Sequence, residues 1–166
     1  MSEISGVLPW TKSCFVCGEQ NPDGLRLRSR IEDGRVFIDY RTRERDVGYR
    51  HIVHGGIAMT LLDEVMTWAA IVKMEGMCVA AELTTRLRHP VEVGVLIRVE
   101  GWVLRSSKRI CFTEGVILNE SGGVLLSASG KYMPMPEEGL ELCEKDFIVN
   151  SKAIHPSDII RRHAKD

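Results

Sequence analysis

The 166-residue chain predicts an α+β fold: a curved antiparallel sheet of about six strands wrapped around one long central helix. Three observations carry this. Only one stretch, residues 55–74, repeats its apolar residues at helical spacing over five turns. The segments on both sides alternate apolar and polar residues with the period of two of a half-buried strand. Short Gly-containing turns separate those segments, which favours hairpins over crossovers.

Residues 1–24 read as irregular, with Pro9, Pro22 and a Pro22-Asp23-Gly24 turn. Residues 25–31 place Leu25, Leu27 and Ile31 on one face and Arg26, Arg28 and Arg30 on the other, and predict a strand. Asp33-Gly34 marks a hairpin turn, after which Val36, Ile38 and Tyr40 resume the alternation. A loop over 46–53 leads into the helix. Its stripe is Ile57, Leu61, Leu62, Val65, Trp68, Ala69 and Val72; Gly56, Thr60, Asp63 and Thr67 share a different face, and Gly76 is the expected stop. Four more strands follow at 78–88, 95–105, 109–118 and 123–133, the last closed by Pro134 and Pro136. The expected organisation is residues 1–24, a core domain over 25–136, and a tail over 137–166. The tail is acidic from Glu137 to Asp146, with a short helix at Pro156-Ser157-Asp158 before Ile159-Ile160-Arg161-Arg162. A helix in the concavity covers one sheet face only, so the other face or an edge is left for a partner subunit.

Composition narrows the function. Hydrophobic residues make up 44% and charged residues 27%, with a net charge of -1, so no overall positive field attracts nucleic acid. Charge is uneven, with eight Arg against five acidic residues between Leu25 and Arg50. Such a local basic rim suits a small polyanion or a solvated strand face. No run approaches the roughly 18 apolar residues of a membrane span, and Met1-Ser2-Glu3-Ile4-Ser5-Gly6 lacks the pattern of a signal peptide. With five cysteines, an odd number, a cytoplasmic location is expected. Cys14-Phe15-Val16-Cys17 has metal-type spacing, but no second pair completes four ligands. The cysteines are therefore expected to pack, and no metal is expected.

The segment Val53-His54-Gly55-Gly56 followed by Asp63-Glu64 holds the densest chemistry. A glycine-built helix start offers free N–H groups and the positive end of the dipole. A carboxylate two turns on is the second element that acyl transfer needs: one group holds an oxyanion while the other attacks or activates water. Eight residues along one helix amount to about 12 Å, so the two halves are expected to meet across a dimer.

These motifs, with Gly48-Tyr49, Leu61-Leu62-Asp63-Glu64, Ala81-Glu82-Leu83-Thr84 and Arg86-Leu87-Arg88-His89-Pro90-Val91, resemble those of the hotdog-fold acyl-CoA thioesterases of the PaaI-like group. The resemblance covers roughly residues 14–136. It implies the hotdog fold and hydrolysis of a coenzyme A thioester without a cofactor. It also implies a homodimer, or a tetramer of paired dimers, with its sites at the subunit interface and no nucleic-acid or membrane partner. By the same resemblance, the Gly55 N–H polarises the thioester carbonyl and Asp63 is nucleophile or general base, with Glu64 as the backup carboxylate. His54 is either an acid–base group or the cap of the loop. Gly56, Thr60, Arg86, Arg88 and His89 are the candidate substrate-binding residues. The chain departs from the pattern at Gly48, where many members have Asn, and at Val79, Ala80 and Ala81, where a Ser or Thr is frequent. Those departures leave open an alternative, a non-catalytic acyl-CoA-binding or regulatory protein. A dehydratase on the same fold fits the acid's spacing less well.

Overall fold

In chain order, the computed structural model, which describes residues 4–161, runs β1 (Gly6–Val7), β2 (Trp10–Thr11), β3 (Arg30–Glu32) and β4 (Arg35–Arg41). A 3-10 turn at Glu44–Asp46, β5 (Val47–Tyr49), β6 (Ile52–Val53) and α1 (Gly55–Met74) follow. Then come β7 (Cys78–Leu87), β8 (Leu96–Ser106), β9 (Cys111–Leu118), β10 (Val124–Pro134), α2 (Glu137–Asp146), β11 (Phe147–Ile148) and α3 (Pro156–Ile159). Met1-Ser2-Glu3 of the N-terminal reading and Arg162 of the tail lie outside the described residues.

Seven antiparallel strands form the main sheet in the order β1-β3-β4-β8-β9-β10-β7. The hairpin at Asp33-Gly34 has both residues at positive φ, 48° and 70°, a conformation that matches the strand twist. α1 lies across this sheet and buries Leu61, Leu62, Val65, Met66, Trp68 and Ile71 against Ile38, Ile97, Val99 and Ile117. Each such side chain contributes about 1.5–3 kcal/mol when withdrawn from water. Gly101 and Gly115 are register partners on β8 and β9, and a Cβ on Gly101 would lie 2.9 Å from the Val65 carbonyl carbon. The missing side chains let the helix approach the sheet backbone. By length and composition α1 could also cross a membrane, against the expectation that no segment would; its apolar stripe is instead buried in the core.

The structure corrects several local expectations. Residues 25–29 are not a strand: Arg26 takes φ 56°, and the Leu25 and Leu27 N–H groups bond to the carbonyls of Phe15 and Val16. The alternation there reflects docking on the N-terminal loop. The helix stops at Glu75, which itself adopts φ 53°, rather than at Gly76. The sheet has seven strands because β1 adds beside β3. The tail contains α2, which the sequence reading did not place, and its β11 pairs with β2, tying the C-terminal segment to the N-terminal one.

At the other edge, β7 pairs only with β10 among the described residues. It is ten residues long, mostly exposed, and shows Val79 and Leu87 to solvent. A long, apolar, unprotected edge strand is a template for pairing with another chain.

Candidate functional site

The helix start is built by His54, whose extended backbone makes it the N-cap and whose Nδ1 accepts the Gly56 N–H at 2.9 Å. The His54 carbonyl accepts the N–H groups of Ile57 and Ala58 at 2.9 and 3.2 Å. Thr60 donates its hydroxyl back to the Gly56 carbonyl at 2.8 Å. These bonds occupy the neighbouring donors, and the Gly55 N–H has no acceptor among the described residues. It therefore sits at the positive end of a 20-residue helix with its hydrogen unspent.

The loop before the helix is held from below by Asp46, 2% exposed, which accepts a short hydrogen bond from the Tyr40 hydroxyl and pairs with Arg43 at 3.0 Å. Burial alone would raise the Asp46 pKa. The hydrogen bonds from Arg43 and Tyr40 outweigh it and hold this carboxyl below the ordinary aspartate value. The Asp46 carbonyl accepts the His54 N–H at 2.8 Å, so this buried, ion-paired aspartate holds the residue from which the helix begins. Gly48 passes directly over His54: a Cβ there would lie 2.8 Å from the His54 Cα. The position that is Asn in many thioesterases of the resembled group thus has no room for a side chain in this loop.

Asp63 lies two turns further, on the side of α1 that faces β10. Its Oδ1 accepts the Tyr132 hydroxyl at 2.8 Å and the Thr67 hydroxyl at 3.4 Å. Tyr132 is fully buried, and burial first, then the Asp63 charge, pushes its phenol pKa up, so it stays a neutral donor. Nothing among the described residues donates to Asp63 Oδ2. Tyr132 went unnoticed in the sequence, where it reads as one more inward residue of an alternating strand. Its register partner on β7 is Ala80, one of the positions lacking a hydroxyl, so the hydroxyl beside the acid comes from β10 instead.

Glu64 turns away from this site. Trp68 Nε1 donates to its Oε1 at 3.1 Å, and its carboxylate lies beside the Cys14 and Cys17 sulfurs. It therefore does not stand beside Asp63 as a backup carboxylate. Burial, with the Cys14 charge, pushes its pKa up to about 7.

The substrate-binding candidates separate as well. Leu87 faces the helix start, its Cδ2 3.4 Å from where a Gly55 Cβ would stand. By strand alternation Arg86 and Arg88 face the opposite side, where with Thr84, Trp102, Glu114 and Ser127 they line a groove of about 340 Å³. His89 is exposed beyond the end of β7, its N–H bonded to the Leu125 carbonyl. One chain thus assembles His54, Gly55, Gly56 and Thr60 at the helix start. It leaves Asp63 about 12 Å along the axis, Arg86 and Arg88 on the outer face, and Glu64 in a separate cluster.

Comparison with known proteins agrees with this architecture. Residues 51–126 match the family model described as Thioesterase superfamily. Acyl-coenzyme A thioesterase 13 of Homo sapiens is 26% identical over 100 residues, covering 60% of this chain and 71% of that protein. Among solved structures, a thioesterase superfamily protein superposes with a TM-score of 0.64 at 24% identity, covering 72% of this chain; this chain spans 59% of its length. The PaaI protein of E. coli, from the phenylacetic acid degradation operon, gives 0.60 at 18% identity over 66% of this chain and 78% of that one. A Streptococcus mutans protein bound to acetyl CoA gives 0.59 at 12% identity over 81% and 91%. The fold is the hotdog fold: in sequence the likeness is to the thioesterase superfamily over residues 51–126, and in architecture it extends to the PaaI protein.

Proposed function

We propose, for a hotdog-fold chain whose residues 51–126 match the thioesterase superfamily, that it hydrolyses acyl-CoA thioesters to a free acid and coenzyme A. The observation that carries this reading is the pair of half-sites on α1: a Gly55 N–H without an acceptor at the helix start, and an Asp63 carboxylate steadied by Tyr132 and Thr67. Two copies paired through their β7 edges would run their helices antiparallel and set Gly55 of one protomer opposite Asp63 of the partner subunit. The thioester carbonyl then accepts the Gly55 N–H, which stabilises the developing oxyanion. Asp63 of the partner subunit takes a proton from water as the oxygen attacks, or attacks directly to give an anhydride that water opens. The C–S bond breaks, the thiolate of coenzyme A leaves, and the acid remains. Arg86 and Arg88 offer cations to the phosphates at the outer end of the bound molecule. Five free thiols suit a reducing cytoplasmic compartment.

A second reading, binding of acyl-CoA without turnover, is favoured by two features. Gly48 leaves no room for a side chain beside the helix start, and Ala80 offers no hydroxyl near Asp63. One experiment separates the two. Thiol release is measured over a panel of acyl-CoAs for the natural chain, Asp63→Asn and Asp63→Ala, with calorimetric titration of the same ligands. Hydrolysis that falls about 10²–10⁴-fold in both variants supports Asp63 as base or nucleophile. Tight binding with no thiol release from the natural chain supports the second reading, and full activity in both variants removes Asp63 from the mechanism.

A further inference from the structure

A second cluster, which the proposed hydrolysis does not use, lies where the N-terminal segment crosses α1. Cys14 Sγ, Cys17 Sγ and a carboxylate oxygen of Glu64 all lie within 4.8 Å of one another. Their elements are far apart in sequence: a loop before the first long strand and the middle of the central helix.

Each donor is held in place. Gly18 donates its N–H to the Cys14 carbonyl at 2.8 Å, and a Cβ on Gly18 would stand 2.2 Å from that oxygen. Only glycine lets the Cys-Phe-Val-Cys turn close this tightly, which puts both sulfurs on one side. The Val16 N–H points at Cys14 Sγ at 3.3 Å, a bond that favours a thiolate. The Thr11 hydroxyl accepts the Cys14 N–H at 3.2 Å, which leaves its own proton for Cys17 Sγ at 3.8 Å. On the helix, Trp68 Nε1 binds only one oxygen of Glu64, so the ring orients the carboxylate and leaves Oε2 to another partner. This is the arrangement of a ligand set: two sulfurs on a tight turn, one oriented carboxylate, and a hydrogen bond to each.

We propose that Cys14, Cys17 and Glu64 form a binding site for a borderline-soft divalent cation of the zinc class, with three protein ligands and a fourth position left to solvent. Zinc takes Zn–S of about 2.3 Å and Zn–O of about 2.0 Å in a tetrahedron, so its ligand atoms lie about 3.5–4 Å apart. Small side-chain rotations bring the three donors to that spacing. Binding the cation releases the thiol protons, and the ion's charge balances the two thiolates and the carboxylate that hold it beside an apolar helix. The bound ion would clamp the N-terminal segment onto α1 at the residue adjoining Asp63. The proposal stands independently of thioester hydrolysis.

The test uses the full chain, stripped with chelator and kept thiol-reduced, titrated with zinc and with cobalt(II). One ion per chain, a rise in thermal midpoint with zinc, and thiolate-to-cobalt charge-transfer absorption are expected. Glu64→Gln keeps the oxygen that Trp68 binds and so keeps the fold. Groups that merely orient a ligand are worth about 10–100-fold in affinity, so loss of the ligand itself should weaken binding at least as much. Cys14→Ser should cut the cobalt charge-transfer absorption to about half or less, since only the Cys17 thiolate is left; if that variant fails to fold, the natural chain's cobalt spectrum and Glu64→Gln decide. Failure of the reduced natural chain to bind either ion, cobalt bound without thiolate absorption, or affinity unchanged in Glu64→Gln would each overturn the site.

Discussion

At the scale of single residues, the candidate chemistry depends on side chains that position other groups. Tyr132 is the clearest. It touches Asp63 through one hydrogen bond, 2.8 Å long, from a fully buried ring. Tyr132→Phe keeps the packing and removes the donor, so kcat should fall about tenfold, the equivalent of about 1.4 kcal/mol, while KM changes little; steady-state kinetics check this. Asp46 supports the loop before the helix start, where the other candidate half-site lies. Its folded pKa lies below the ordinary value of 3.8, so its stabilising contribution is complete above that value and is lost as pH falls through the folded pKa. Asp46→Asn should therefore cost about 2–3 kcal/mol at neutral pH, with the gap to the natural chain closing below pH ~4. Denaturant melts across that range test the sign. Asp63 and Gly55 could be singled out from sequence because their residue types and spacing already state a chemistry. Tyr132 could not, since a tyrosine on the inward step of a strand looks the same whether or not its hydroxyl meets an acid. Glu64 misled for the opposite reason: a carboxylate next to another carboxylate suggests a shared site, but adjacent helical residues point about 100° apart.

At the scale of elements, the long periodic segments were legible and the short, tertiary-held ones were not. The helix over 55–74 and the four strands after it carry enough repeats for their period to be decisive. The stretch 25–29 shows the limit: alternation reports which side chains are buried, and here a loop docked on another loop produces the same pattern as a strand. β1, β2 and β11 are two residues each and exist only because their partners hold them. The contact between helix and sheet makes its own prediction. Gly101 meets the α1 backbone at Val65 and Met66 together with the stiff, branched Val65 side chain, so Gly101→Ala cannot be relieved locally. It should destabilise by about 1–3 kcal/mol, measured as a drop in denaturation midpoint with unchanged slope. A neutral result would mean that the helix rides further from the sheet.

At the scale of the whole molecule, one chain holds two unlike candidate half-sites and, among the described residues, a sheet edge at β7 without a partner strand. The separation of Gly55 and Asp63 follows from helix rise alone and was legible in the sequence. The edge was not, because strand order depends on which hairpins close, and only the fold shows β7 outermost. The central claim is that each working site takes Gly55 from one subunit and Asp63 from the other. Mixed dimers test it most directly. Gly55 is the first residue of α1, where proline is tolerated, and His54 before it is already extended, so Gly55→Pro removes the N–H and keeps the helix. Gly55→Pro and Asp63→Asn chains are each expected to be inactive alone. Co-refolded in equal amounts, they form hybrid dimers in which one of the two sites is intact, and thioester hydrolysis should return to about one quarter of the natural level. Recovery near that level supports the shared site; mixtures as inactive as the separate variants, with hybrid dimers present, would contradict it.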